Sequence, residues 1–141
     1  MSLPSVPHVS ASLRAHVTAD APLRYWVTAV CAGSAGIHAA LVGPHLAEGG
    51  PPLGSAFAAA AAALAVAALT VRQPRHDPWA PAAATVVLCV IALSYLLSRS
   101  AGVPLLIGQP EGLDPLGAAT TVTELAGAAC GVALVSRKDR T

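Results

Sequence analysis

Residues 53–71 read LGSAFAAAAAALAVAALTV, a run that contains no charged side chain and only two hydroxyl groups. A helix needs about 20 mostly apolar residues to cross the hydrocarbon core of a bilayer. Three further stretches of similar length and character lie around this run, at residues 25–42, 79–97 and 116–135. The pattern therefore predicts an all-α fold, a bundle of four transmembrane helices within residues 21–136.

The overall composition agrees with a membrane protein. Hydrophobic residues make up 55% of the 141 positions and charged residues 11%, whereas a soluble domain carries about 25% charged residues. This balance argues against a soluble enzyme and a disordered chain. The net charge of +1 gives no field that would attract nucleic acid. The single lysine, the absence of asparagine and the many Ala, Gly and Pro residues are typical of a GC-rich bacterial genome.

Proline, glycine and aspartate mark the expected helix ends. Asp114-Pro115 predicts a helix start, because Asp accepts hydrogen bonds from the first turn and Pro fits the first helical position. Gly43-Pro44 predicts the end of the first helix, since proline cannot continue the backbone ladder. Pro51-Pro52 would then lead into the second helix.

The distribution of basic residues predicts the orientation in the membrane. Four helices would place the N-terminus, the 72–78 loop and the C-terminal tail on one side, together with seven of the eight Arg and Lys residues. Basic residues concentrate on the cytoplasmic side of membrane proteins. We therefore expect a multi-pass plasma-membrane protein with both termini in the cytoplasm, a flexible segment 1–20 and a basic tail 137–141.

Two histidines and a carboxylate near the outer end of the first predicted helix form a candidate metal site. His38 and His45 are seven residues apart, which is about two helical turns, and Glu48 follows three residues later. Two imidazoles and a carboxylate are a usual ligand set for zinc, and imidazole also binds copper. The alternative is structural, because a neutral histidine can hydrogen-bond a neighbouring helix.

Glu124 lies near the middle of the fourth predicted helix and is a candidate intramembrane polar site. An ionisable side chain within a membrane is costly and is therefore a functional candidate. Proton carriage, ion coordination and ligand binding are the functional interpretations. The structural interpretation is a carboxyl group that hydrogen-bonds within the bundle. The candidate partners are Thr120 and Thr121 on its own helix, and Tyr95, Ser94, Ser34 and His38 on neighbouring helices.

Arg99 is the one basic residue on the predicted outer side, which also holds several carboxylates. Arg99 is therefore expected to form an ion pair with Glu48, Glu111 or Asp114. Together with the groups above, these residues make the outer half of the protein chemically rich. A functional site is accordingly expected to open outward.

Three short segments carry a resemblance to a known group of proteins. They are GIHAALVGPHLAE at 36–48, SYLLSR at 94–99 and GVP at 102–104. In these segments the chain resembles small four-helix membrane proteins of actinobacteria, and the likeness extends over nearly the whole chain from Leu23. The resemblance implies a plasma-membrane location and no particular activity.

Two classes of function remain open at this stage. Small residues at helical spacing, among them Gly127 and Gly131, let helices approach closely. They favour a non-catalytic accessory subunit of a larger membrane assembly, with a membrane-protein partner or a homo-oligomer. The alternative is an outward-facing binding protein for a metal ion or small ligand. An enzyme is not favoured, because the sequence contains no phosphate-binding loop, nucleophile elbow or H-E-x-x-H motif.

Overall fold

The computed structural model describes residues 9–73, 79–102, 110 and 112–138. Within these ranges the chain is all-α, without strands, and forms three helices. Helix α1 comprises Val9–Arg72, α2 comprises Trp79–Ser100, and α3 comprises Pro115–Lys138. Residues 20–72, 79–100 and 115–137 are apolar and long enough to cross a membrane. These three stretches are consistent with a membrane protein.

The prediction of four helices is wrong. The predicted helices at 25–42 and 53–71 both belong to α1, which is 64 residues long. Pro44 lies inside α1 and does not end it, although a proline removes a backbone donor and normally breaks the ladder. The helical region also extends back to Val9, into the segment expected to be flexible. Residues 1–8 and 139–141 lie outside the described residues.

Helix α1 folds back on itself at Gly50. This residue has φ 70° and ψ −170°, a conformation that is essentially confined to glycine. The guanidinium of Arg24 donates a hydrogen bond of 3.2 Å to the carbonyl oxygen of Val71, although about 70 Å would separate these residues along a straight helix. Residues 9–49 form the N-arm of α1 and residues 51–72 the C-arm, and the part of the N-arm from Arg24 onward lies beside the C-arm.

The start of α3 agrees with the Asp114-Pro115 signal. The Asp114 carboxylate Oδ1 accepts a hydrogen bond of 2.6 Å from the backbone N–H of Gly117. This is the arrangement of an N-cap residue, which satisfies a backbone donor that the first turn leaves without a partner. The expected helix start at Pro115 is thus confirmed.

The core lies where both arms of α1 meet α2 and α3. Its buried side chains are mostly small or aliphatic, and include Val30, Leu64, Leu88 and Leu134. Gly127 of α3 is buried at this meeting point: a Cβ atom there would lie 2.7 Å from Val30 Cγ1 and 3.2 Å from Leu88 Cδ1. The glycine therefore allows α3 to approach α1 and α2 closely. Gly131, one turn further on, packs against Thr85 in the same way.

The two ends of the bundle differ in their residues. Arg137 lies 3.7 Å from Asp20, and the hydrogen bond between Arg24 and Val71 lies at the same end. We call this the termini end. Gly50, the end of α2 at Ser100 and the start of α3 lie at the other end, which we call the hinge end.

Candidate functional site

A cavity of about 410 Å³ lies between the two arms of α1, α2 and α3, in the half of the bundle nearest the hinge end. Apolar side chains such as Leu53, Phe57 and Ile91 form part of its wall. Polar and ionisable side chains from all three helices reach the same space. The ionisable ones are His38, His45, Tyr95, Arg99, Asp114 and Glu124, and the hydroxyl groups are those of Ser94, Ser98, Thr120 and Thr121.

Glu124 is the most deeply buried ionisable group on the cavity wall, with only 1% of its surface exposed. The hydroxyl of Ser34, itself buried, donates a short hydrogen bond to Glu124 Oε1. This hydrogen bond joins α3 to the N-arm of α1. In the part of the chain that the structure describes, no other hydrogen bond to Glu124 is present. The carboxylate is therefore held in place on one oxygen and retains acceptor capacity.

His38 lies one turn after Ser34 and is held by the same residue. Its Nδ1 is 3.0 Å from the backbone oxygen of Ser34 and 3.4 Å from the Ser34 hydroxyl. A carbonyl oxygen can only accept, so the hydrogen bond assigns the proton to Nδ1. In the neutral imidazole, Nε2 then carries a lone pair. His38, Ser34 and Glu124 form a continuous polar contact between α1 and α3.

His45 repeats this arrangement two turns later. Its Nδ1 lies 3.0 Å from the carbonyl oxygen of Leu41, which again leaves Nε2 as an acceptor. The imidazole stacks on the ring of Phe57, with centroids 3.9 Å apart and planes 25° apart. The His38 ring lies 5.5 Å from the same phenyl ring. Phe57 in the C-arm thus contacts both histidines of the N-arm.

A second polar cluster lines the cavity at the hinge end. Arg99 Nη2 and Asp114 Oδ2 form a salt bridge of 2.7 Å, and the Arg99 guanidinium lies 4.8 Å from the centroid of the Tyr95 ring. The Tyr95 hydroxyl donates a hydrogen bond of 3.2 Å to the backbone oxygen of Asp114. Arg99 also donates to the carbonyl oxygen of Gly112. This cluster joins the end of α2 to the start of α3.

The cavity brings together most of the residues that the sequence singled out. His38, His45 and Glu124 converge in it from α1 and α3, although His38 and Glu124 are 86 positions apart. Thr120 also lines the cavity, but its hydroxyl donates to the carbonyl oxygen of Leu116 and not to Glu124. Glu48 is exposed and does not line the cavity. Glu111 lies outside the described residues.

The arrangement does not support the predicted metal site. Among the described residues, no group of three His, Cys, Asp or Glu side chains is placed to hold a metal ion. His38 and His45 face the cavity, and each directs Nδ1 to its own helix backbone. Glu48 does not join them. The predicted set of His38, His45 and Glu48 therefore lacks the converging third ligand that zinc requires.

Phe57 is a cavity residue that sequence reasoning does not identify. The stretch 53–71 consists largely of alanine and so indicates a packing surface. Phe57 is the only phenylalanine of the chain and the one aromatic residue in that stretch. Aromatic rings contribute a large contact area to cores and interfaces. That isolated ring is the available signal for a contact with the histidines.

Searches of protein-family models, of curated proteins and of solved structures found no match to this chain. The class of the protein is therefore defined by its own fold and site. It is a small all-α protein with apolar helices long enough to cross a membrane, and its helices line a partly open cavity with polar groups at two levels.

Proposed function

We propose that the chain is a multi-pass integral protein of the plasma membrane that binds a small, largely apolar molecule in the cavity of its hinge half. The observation that carries this proposal is the cavity itself. Small-molecule sites are concave, mostly apolar and furnished with a few polar groups that orient the ligand. A volume of about 410 Å³ falls within the range of such sites.

Exposed side chains support placement in a bilayer. Large apolar residues such as Val66, Leu69 and Val90 are exposed on the outside of the bundle, where lipid would cover them. Trp26 and Trp79 are exposed near the termini end, and tryptophan is enriched at membrane–water interfaces. These features agree with helices that lie across the membrane.

The described basic residues support an orientation. Arg24, Arg72 and Arg137 belong to the termini end, and Arg99 belongs to the hinge end. By the preference of basic residues for the cytoplasmic side, both termini would be cytoplasmic. The hinge half, and with it the cavity, would then lie toward the outer side of the membrane.

Binding of a neutral aromatic probe tests this function. The purified protein is placed in nanodiscs of zwitterionic lipid and titrated with 1-naphthalenemethanol, and the fluorescence of the probe is followed. We expect saturable binding above the partitioning measured with empty nanodiscs. Ala56→Phe should abolish the saturable component, because Ala56 lines the cavity and a phenyl ring would fill part of it.

Ala58→Phe is the matched control for this experiment. Ala58 lies in the same arm of α1, is exposed and does not line the cavity. This variant should therefore bind the probe as the wild type does. Absence of saturable binding to the wild type, or equal loss in both variants, would refute the proposed site.

An accessory subunit is the second candidate function. The N-arm carries a stripe of small residues, Ala29, Gly33 and Gly36, that is exposed, and no atom lies within 4 Å of a Cβ built on either glycine. Small residues allow another transmembrane helix to approach closely. If this stripe docks a second copy or a partner helix, the bulky side chain of Gly33→Leu should displace it. Native mass spectrometry should then show a complex that is lighter by the mass of the lost copy or partner. An unchanged mass would remove this candidate.

A further inference from the structure

The polar groups of the cavity point to the chemical class of its ligand. We propose that the cavity binds a protonated, largely apolar amine, with Glu124 as its counter-ion. This inference rests on the proposed function, because it specifies the ligand of the same site. It is carried by three observations: the hydrogen-bonding state of the wall, its balance of charges, and its aromatic rings.

Most hydroxyl and imidazole donors of the wall are already used within the protein. Each histidine uses Nδ1 to donate to a backbone carbonyl, so the Nε2 atoms of His38 and His45 are acceptors in the neutral rings. The Ser34 hydroxyl donates to Glu124, and the Thr120 hydroxyl donates to its own helix. A ligand that enters this space therefore gains most by donating hydrogen bonds.

On the described wall the arginine is already paired with Asp114, and the Glu124 carboxyl group has no Arg or Lys partner. Arg99 is the lining cation of the described residues, and its guanidinium is paired with Asp114 at 2.7 Å. Within the described ranges, no Arg or Lys side chain forms an ion pair with Glu124. A carboxylate in a low-dielectric site is stabilised strongly by a single positive charge. The cavity is thus complementary to a monocation.

The remaining wall suits the apolar part of such a ligand. Leu53 and Ile91 line the cavity, and so do the rings of Phe57 and Tyr95. These rings add a large apolar contact area, while one face of Phe57 stacks on His45 and one face of Tyr95 lies against Arg99. An aliphatic or aromatic amine would place its hydrocarbon part against these side chains and its N–H groups toward Glu124. An anionic ligand would meet Glu124 and the lone pairs of two neutral imidazoles, and the lining arginine is already paired with Asp114.

Three isosteric probes test the class of ligand without any mutation. The wild-type protein in zwitterionic nanodiscs is titrated near neutral pH with 1-naphthylmethylamine, 1-naphthalenemethanol and 1-naphthoic acid. The amine is protonated, the alcohol neutral and the acid anionic under these conditions. We expect the amine to bind about tenfold more tightly than the alcohol, because a charge-assisted hydrogen bond is about twice as strong as a neutral one. The acid should bind more weakly than both.

Glu124→Gln then identifies the counter-ion, with Glu48→Gln as the control. Glutamine keeps the shape and an acceptor for Ser34, so the alcohol should bind this variant as it binds the wild type. The amine should lose its advantage over the alcohol. Glu48→Gln removes a carboxylate that is exposed and off the cavity wall, and should leave the preference intact.

The outcomes separate the two proposals. If none of the three probes binds, the proposed function fails. If the alcohol or the acid binds at least as tightly as the amine, the cavity is a ligand site and the inference about amines is overturned. The probe comparison uses the wild-type chain, so it decides the question even if Glu124→Gln does not fold.

Discussion

At the scale of single residues, the hydrogen bond between Ser34 and Glu124 is the central contact of the molecule. It joins the N-arm of α1 to α3 at a depth where both side chains are buried. Sequence reasoning identifies Glu124 from its position in an apolar stretch, and Ser34 is among several candidate partners. It cannot choose among them, because the choice depends on how the helices are rotated about their axes.

A double-mutant cycle measures this contact. Ser34→Ala and Glu124→Ala each remove one partner of this hydrogen bond, as a cycle requires, and should each lower the free energy of unfolding in mixed micelles. Their coupling energy should be about 0.6–1.7 kcal/mol, the range found for hydrogen bonds between transmembrane helices. Ser100→Ala is the control, because the Ser100 hydroxyl is exposed and bonds only to Leu96 of its own helix. A coupling energy of zero between Ser34 and Glu124 would contradict the observed contact.

At the scale of the elements, the break in α1 decides the shape of the bundle. The sequence contains two candidate breaks, Gly43-Pro44 and the Gly49–Pro52 segment. The sequence predicts that the first helix ends at Pro44, but the chain stays helical there and turns at Gly50. Local preferences cannot decide between them, because a helix tolerates a proline where its surroundings satisfy the freed carbonyl. Only glycine readily adopts the backbone angles of residue 50.

Gly50→Ala tests this assignment. A Cβ atom at φ 70° and ψ −170° is strained, and the expected loss in the free energy of unfolding is about 1–3 kcal/mol. Gly43→Ala is the matched control, since Gly43 is helical and a Cβ atom added to it would have no other atom within 4 Å. That variant should be as stable as the wild type or slightly more so. Equal stability of the two variants would show that the chain does not turn at Gly50.

The close approach of α3 to its neighbours gives a second test at this scale. In Gly127→Ala, the new methyl group would meet Val30 at 2.7 Å, and a β-branched side chain cannot easily move away. Overpacking of this kind costs about 1–3 kcal/mol, measurable as a lower unfolding midpoint in mixed micelles. Gly36→Ala adds the same methyl group into open space and should leave the midpoint unchanged. A stable Gly127→Ala protein would mean that α3 packs more loosely.

At the scale of the whole molecule, the sequence predicts the all-α class and the starts of α2 at Trp79 and α3 at Pro115. It also names most of the polar residues of the cavity wall, but none of the apolar ones. Apolar runs and caps are local signals, which explains this success. The number of helices and the contact of His45 with Phe57 could not be predicted. Both depend on the fold-back of α1, which places residues that are distant in the sequence next to one another.

The cavity exists only because α1 folds back. The distance between a position in the N-arm and a position near the end of the C-arm is therefore the most direct test of the fold. Spin labels at Tyr25→Cys and Leu69→Cys, both exposed positions, are measured by double electron–electron resonance in nanodiscs, with the three native cysteines replaced by alanine. The side-by-side arms predict a distance distribution centred below about 30 Å, within the thickness of one bilayer core. A distribution near about 66 Å, the length of a straight helix between these residues, would contradict the fold and the site built on it.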